Sequence, residues 1–273
     1  MDEITANFEP VATLEAAPLR FRLRTQVAAK SDLGRVRENN EDKFEYYLPE
    51  EDAVLVRRGH AYLVCDGMGG HAAGQIASEL AAKTFLGVYY DHPSPEVEVA
   101  ARSAVQAAHR FVTDVGRAVP SRRGMGTTLS ALLMVEDRAW LVQVGDSRIY
   151  RLRAGILTQL SQDHTYADEM VRQGLMSAEE AKSSPYAHAL TRAIGGEGDF
   201  EADVESFDLQ PGDLYLLCSD GLVNHVPDAR ILERLQQPTL SAAAWDLVQD
   251  ALADGGSDNC TVLLVRVDEL ERV

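Results

Sequence analysis

Long apolar runs are missing from this chain of 273 residues. No stretch reaches the roughly 18 consecutive apolar residues that a membrane-spanning helix needs. The first ten residues, MDEITANFEP, carry acidic rather than basic side chains, unlike the start of a secretory signal. We therefore expect no membrane span and no signal peptide, and the sequence predicts a cytoplasmic protein.

Basic side chains are also scarce. The 26 Lys and Arg residues are outnumbered by 43 Asp and Glu residues, so the formal net charge at pH 7 is −17. A charge of this sign repels the phosphates of nucleic acids and the headgroups of anionic membranes. We therefore expect neither nucleic-acid binding nor membrane binding.

Cysteine occurs three times, at Cys65, Cys218 and Cys260. Three thiols cannot all pair with one another, and their spacing matches no zinc-binding pattern. Each cysteine lies within two residues of Asp66, Asp220 or Asp258, which are possible metal ligands, and this proximity suggests redox control. Because free cysteine commonly packs as a small core residue, we favour a structural role.

The apolar residues, 45% of the chain, are enough for the core of one large domain. Residues 1–23 contain Pro10 and Pro18 and lack a sustained periodicity, which predicts an N-terminal extension that is loose or packs late. A single domain is then expected over 24–270. Within it the polar segment 163–198 interrupts the strand pattern and predicts a surface flap.

Strand-like and helical patterns occur in separate groups. Between residues 128 and 157 the strand-like runs follow one another with gaps too short for a crossover helix, so these strands must be antiparallel. The pattern predicts an α+β fold of stacked antiparallel sheets with helices outside. Strands are predicted at 24–29, 61–65, 128–135, 139–144, 148–152, 213–218 and 261–267. Helices are predicted at 72–90, 95–118, 228–236 and 241–253, the last with Ser241 as its cap.

Four aspartates stand at the ends of apolar strands. Asp66, Asp146 and Asp220 end strands in AYLVCDGMGG, WLVQVGDSR and LYLLCSDGL, and Asp258 precedes a strand in GGSDNCTVLLV. A carboxylate at such a position usually has a compensating partner, and few basic residues lie near these in sequence. Oxygen ligands without nitrogen or sulfur select hard cations such as Mg²⁺ or Mn²⁺. A shared metal site explains the recurrence, although Asp-Gly at a strand end is also ordinary turn chemistry.

The chain resembles a known family, the metal-dependent or type 2C serine/threonine protein phosphatases, in their bacterial form. The resemblance covers about residues 24–268 and implies a four-layer α-β-β-α sandwich with two central antiparallel sheets. It implies a metal-dependent enzyme that hydrolyses phosphoserine and phosphothreonine. It rests on eight motifs in the family's order: SDLGRVRENNEDKF, VCDGMGGHAAG, GMGTTLSALL, VGDSRIYRLR, LTQLSQDHT, HALTRAIGG, PGDLYLLCSDGL and SDNCTVLLV.

The resemblance also implies which residues bind metal. Asp66 is expected to bridge two Mn²⁺ or Mg²⁺ ions, and the carbonyl of Gly67 completes the shell of one of them. Asp220 and Asp258 are expected to hold the other ion. Asp146 matches the position that helps to bind a third, weaker ion beside the flap.

Other motif residues are implied to act around the ions. Glu41 and Asp42 match the acidic pair that orders metal-bound waters, and Asn259 is expected to support the site without binding metal. Arg37 is implied as the phosphate clamp, because a guanidinium can donate two parallel hydrogen bonds to phosphate oxygens. His71 is a candidate for protonating the leaving oxygen, and capping the helix that begins near it is an equal alternative.

Two divalent ions that share a water lower its pKa toward neutrality, so that hydroxide can attack phosphorus directly without a phosphoenzyme. The remaining histidines, among them His164 and His188 in the flap, are expected to be structural or solvent-facing. The resemblance implies phosphoprotein substrates and an opposing bacterial serine/threonine kinase, and we expect a monomer. Two alternatives stay open: a catalytically silent relative that binds phosphoproteins, and a phosphatase of the same fold acting on an anti-sigma antagonist in a partner-switching circuit.

Overall fold

The computed structural model describes residues 18–70, 72–182 and 184–273. Its strands are β1 (Phe21–Asp32), β2 (Lys43–Tyr47), β3 (His60–Cys65), β4 (Gly67–Met68), β5 (Gly126–Thr127), β6 (Leu129–Val135), β7 (Arg138–Val144), β8 (Arg148–Arg153), β9 (Ile156–Gln159), β10 (Asp203–Asp208), β11 (Leu214–Cys218) and β12 (Cys260–Arg272). Its helices are α1 (Asp52–Arg57), α2 (Ala72–Asp91), α3 (Val97–Ala118), α4 (Tyr166–Arg172), α5 (Ala178–Lys182), α6 (Asp220–Val223), α7 (Asp228–Leu235) and α8 (Leu240–Ala253), with a 3-10 turn at Pro120–Arg122.

Two five-stranded sheets form the centre of the described chain. The first sheet has the order β1-β12-β11-β8-β9 and the second has the order β10-β7-β6-β3-β2, and a short ladder joins β4 to β5. Neighbouring strands pair antiparallel throughout, including the run from β6 to β9 where the short gaps predicted it.

Three separate apolar clusters show how the layers stack. One cluster lies between helices α2 and α3 and the outer face of the second sheet, and it includes Leu63, Leu133 and Phe85. Another lies between the inner faces of the two sheets and includes Tyr62 and Tyr215. The third lies between the first sheet and helices α6 to α8. The predicted four-layer α-β-β-α sandwich is confirmed.

The observed helix and strand bounds differ from the predicted ones in a few places. β1 begins at Phe21, so three residues assigned to the extension pair with β12, while residues 1–17 of the predicted extension lie outside the described residues. Thr239, not Ser241, caps α8, because its Oγ1 accepts the backbone N–H of Ala242. The cap prediction was therefore wrong by two residues.

The three cysteines are free and buried. Cys65 packs under α2 and α3, whereas Cys218 and Cys260 pack against helices α6 to α8. Burial raises the pKa of all three thiols, that of Cys218 to about 12, so they stay protonated at neutral pH. This environment agrees with the structural role rather than with redox control.

In its described residues, the segment 163–198 contains α4 and α5 and no other helix or strand. Two isolated antiparallel bridges secure it: Thr165 pairs with Leu190 inside the segment, and Ile194 pairs with Thr127 of β5. The segment is therefore attached next to the loop that follows β3. Among the described helices, none is both long and apolar enough to cross a bilayer.

Candidate metal centre

The four strand-end aspartates meet in one cavity. Asp66 follows β3 and Asp146 follows β7 in the second sheet, whereas Asp220 follows β11 and Asp258 precedes β12 in the first sheet. All four line a cavity of about 450 Å³. Face-to-face packing of the two sheets thus brings together side chains that are far apart in sequence. Four further predicted site residues line the same cavity: Arg37, Glu41, Gly67 and Asn259.

These carboxylates are close enough to repel one another. Burial, followed by the charges of neighbouring aspartates, raises the pKa of Asp66 and Asp220, and it raises that of Asp146 to about 8. Asp42, buried beside the cavity, has its pKa raised to about 7 for the same reasons. Among the described residues, Oδ1 of Asp42 and Oδ1 of Asp220 are buried and have no hydrogen-bond partner. Such a set of oxygen donors is costly alone and suits hard divalent cations.

The backbone is held by hydrogen bonds at Asp66, and other segments approach closely at the glycines that follow Asp66 and Asp220. The amide of Asp66 donates to Oγ1 of Thr128 at 2.8 Å, and Oγ1 of Thr127 donates to the Asp66 carbonyl at 2.8 Å. A Cβ on Gly67 would lie 2.2 Å from the carbonyl oxygen of Gly74, and one on Gly221 would lie 2.0 Å from that of Asn259. Glycine is therefore required there by packing, so that the neighbouring segments can approach.

Asn259 links the loop between β1 and β2 to the end of the site. Its Oδ1 accepts the amide of Glu41 at 2.8 Å, and its Nδ2 donates to the carbonyls of Leu33 at 2.8 Å and Asn39 at 3.0 Å. Arg37 lies on that loop, and its Nη2 lies 2.6 Å from Oδ2 of Asp258. The side chain of Arg37 remains 52% exposed, so it is available at the mouth of the cavity.

The hydrogen-bonding neighbours of the aspartates include Ser219, which is buried, and Asn224, which is exposed, and the sequence pattern assigned neither a role at the metal centre. Oγ of Ser219 donates to Oδ2 of Asp42 at 2.7 Å, and Nδ2 of Asn224 donates to Oδ2 of Asp220 at 3.0 Å. Asn224 follows Asp220 by four residues, a spacing that places both on one side of a helical turn. The four-residue spacing could have indicated this contact, but the sequence did not predict the helix at Asp220–Val223.

The two histidines of the segment 163–198, His164 and His188, have different environments. His164 is buried, as expected for a structural residue: its Nδ1 accepts the amide of Gly145 at 3.2 Å, and its Nε2 lies 3.0 Å from Oδ2 of Asp203. His188 lines the acidic cavity, with Nδ1 3.8 Å from Oδ2 of Asp220. Ligand atoms of Asp146, His188 and Asp220 lie within 4.8 Å of one another. The sequence pattern did not indicate this position of His188, and His71 lies outside the described residues.

The sequence matches a family model described as protein phosphatase 2C over residues 41–255. It is 39% identical over 248 residues to the serine/threonine protein phosphatase PstP of Mycobacterium tuberculosis, covering 91% of this chain and 46% of PstP. It is 36% identical over 244 residues to the serine/threonine phosphatase stp of Listeria monocytogenes, covering 88% of this chain and 94% of that protein. The chain thus spans about half the length of PstP but nearly all of the Listeria protein.

Solved structures give the same relationship. The catalytic domain of PstP in complex with two manganese ions matches with a TM-score of 0.78 and 38% identity, covering 91% of this chain and all of that one. The serine/threonine phosphatase of S. agalactiae matches with a TM-score of 0.82 and 32% identity, covering 90% of this chain and all of that one. The family resemblance carried by the eight motifs is thereby confirmed, and the chain belongs to the protein phosphatase 2C family.

Proposed function

We propose that this chain is a metal-dependent phosphatase that removes phosphate from serine and threonine side chains of proteins. The observation that carries the proposal is the single cavity in which Asp66, Asp146, Asp220 and Asp258 converge beside Arg37. A buried cluster of carboxylates with an arginine at its mouth can hold divalent cations and a phosphate ester together. The two manganese ions named for the PstP catalytic domain support the choice of metal.

The proposed roles follow from where the side chains lie. Asp66, with the Gly67 carbonyl, and the pair Asp220 and Asp258 would hold two ions, and Asp146 would contribute to a third. When bound, Mn²⁺ or Mg²⁺ supplies an acidified water and neutralises charge on the phosphoryl oxygens. Glu41 at the cavity wall and buried Asp42 would orient water through hydrogen bonds, and Asn259 holds the surrounding loop.

Arg37 would orient the phosphate ester. In the structure its guanidinium pairs with Asp258. Because the side chain is half-exposed, its other N–H groups can donate hydrogen bonds to a phosphate at the cavity mouth. The leaving serine or threonine oxygen requires a proton, and we retain His71 as the candidate donor.

We further propose that the protein acts as a monomer in the cytoplasm, on substrates of a bacterial serine/threonine kinase or on the kinase itself. Three free, buried thiols suit a reducing compartment. The bacterial phosphatases of Mycobacterium and Listeria to which the chain is similar support phosphoproteins as the substrate class.

The test is a Mn²⁺-dependent assay on phosphothreonine and phosphotyrosine peptides with Asp220→Asn as the variant. We expect turnover of the phosphothreonine peptide to fall more than about 1,000-fold in the variant, equivalent to about 4 kcal/mol of transition-state stabilisation. Asp246→Asn, in the surface ion pair of α8 with Arg234, is the matched control and should retain full activity. Activity that survives excess chelator, or survives in Asp220→Asn, would refute the proposal. Peptide binding without turnover would instead favour the silent phosphoprotein-binding alternative.

A further inference from the structure

His225 lies outside the acidic cavity, immediately after the helical turn that begins at Asp220. Its side chain is 11% exposed and is held on both sides. Nδ1 lies 3.1 Å from Oδ2 of Asp254, and Nε2 lies 2.9 Å from Oγ of Ser257 and accepts the Ser257 amide at 3.1 Å. Because the amide donates to Nε2, that nitrogen carries no proton, and Nδ1 carries the proton donated to Asp254.

The ring of His225 contacts the turn that directly precedes Asp258. This turn contains Gly255 at φ 127° and Gly256 at φ 53°, both in the left-handed region. Two consecutive glycines give such a turn many conformations of similar energy, so the glycines alone do not select the position of the next carboxylate. A fixed ring that accepts the amide of Ser257 removes that freedom one residue before Asp258.

The opposite side of the same turn is held by the loop that carries Arg37. The amide of Arg35 donates to the Gly256 carbonyl at 2.8 Å, and Arg37 pairs with Asp258. A Cβ on Gly34 would lie 2.3 Å from the Asp258 carbonyl oxygen, so the two segments are in close contact. The turn is thus clamped between this loop and His225.

We propose that His225 is a positioning residue that keeps Asp258 beside Asp220 in the arrangement that binds divalent cations. The segment from Asp220 to His225 then acts on both carboxylates: Asn224 donates to Asp220 directly, and His225 fixes the turn before Asp258. The inference rests on the proposed metal-binding role of these two aspartates. Groups that orient metal ligands without touching the metal commonly change affinity by about 10–100-fold.

The experiment is a calorimetric titration of the metal-free full chain with Mn²⁺ alone, without substrate. We expect His225→Ala to weaken Mn²⁺ binding by about tenfold or more. His225→Gln can place a carbonyl oxygen near the position of Nε2 and accept the Ser257 amide, so it should recover most of the affinity. His225→Asn reaches only the position of Nδ1 and should not recover it.

The matched control is His92→Ala. His92 also accepts a backbone amide through its ring, from Ser94 at 3.2 Å, but it follows the far end of α2, about 30 Å along that helix. It should lower the melting temperature and leave the Mn²⁺ affinity unchanged. Unchanged affinity in His225→Ala, or recovery by Asn instead of Gln, would overturn the inference.

A second variant keeps the test decisive if His225→Ala is too unstable to purify. Asp254→Ala removes the partner of Nδ1 from a side chain that is 65% exposed, so folding should be preserved while the ring loses its orientation. Wild-type Mn²⁺ affinity in this variant and in His225→Asn would also overturn the inference. The titration uses no substrate and therefore tests the inference separately from the proposed function. If the chain binds Mn²⁺ through this turn but hydrolyses no phosphate ester, only the proposed function is refuted.

Discussion

The guanidinium of Arg37 is half-exposed and pairs with Asp258, so its removal should mainly weaken the binding of substrate. A charge-assisted bidentate contact contributes about 1.5–3 kcal/mol, so Arg37→Ala should raise KM for a phosphothreonine peptide about 10–100-fold. Arg37→Lys keeps the charge but loses the planar fork, and it should recover only part of this loss.

The control for this prediction is metal binding. Because Arg37 donates to Asp258 and is not itself an oxygen donor, Mn²⁺ affinity measured by calorimetry should change much less than KM. If KM and kcat are both those of the wild type, Arg37 does not bind the phosphate.

Residue types at strand ends made part of the site predictable. Asp66, Asp146, Asp220 and Asp258 stand out because an apolar strand directly precedes or follows each of them, so their positions can be read locally. His225 could not be found this way, because its function depends on a turn 32 residues away that becomes adjacent only when β11 and β12 pair.

The segment 163–198 lines the cavity through His188 and Leu190, and it also exposes apolar side chains to solvent. Leu175 is 68% exposed. We expect Leu175→Asp to slow hydrolysis of a phosphoprotein several-fold, because an apolar contact with the protein substrate is worth about 1 kcal/mol or more. Hydrolysis of p-nitrophenyl phosphate should not change, since this small substrate reaches only the cavity.

Ile156→Asp is the matched control for the flap, since Ile156 is also 68% exposed but lies on β9. It should leave both substrates unaffected. Equal effects of Leu175→Asp on the protein and the aryl phosphate would count against a substrate-selecting flap.

His60, the first residue of β3, should make the free energy of unfolding depend on pH. Burial lowers the pKa of His60 from 6.5 to about 4. The folded state therefore contains the neutral ring. The stability that this neutral ring contributes is fully present above pH 6.5 and is lost as the pH falls toward 4. At pH 5 this loss amounts to about 2 kcal/mol.

His60→Gln removes the titrating ring. Chemical denaturation at pH 7 and pH 5 should show a smaller fall in the free energy of unfolding for the variant than for the wild type. Parallel pH profiles of the two proteins would show that His60 does not titrate in this range.

The predicted elements were those with continuous apolar or clearly amphipathic patterns. β3, β6 and β11 are buried along their whole length and were predicted within two residues. β2 and β10 were missed, because each is an edge strand in which charged residues interrupt the apolar pattern, as in KFEYY and DVESFD. Their strand conformation comes from pairing with β3 and β7, which local composition does not reveal.

For the whole molecule, cation binding should raise thermal stability. A ligand that binds only the folded state at about 100 times its Kd adds about 2.7 kcal/mol, which corresponds to about 5–10 °C in a domain of this size. Mn²⁺ should therefore raise Tm by this amount in scanning calorimetry, and excess chelator should reverse it. The Asp220→Asn variant should show a much smaller increase, and an equal increase would place the bound ions elsewhere.

The cavity draws its carboxylates from both sheets, with 258 − 66 = 192 positions separating Asp66 from Asp258. A chain emerging from the ribosome therefore lacks a complete ligand set until β12 has been made and inserted between β1 and β11. On the proposed function, nascent and half-folded molecules are catalytically silent.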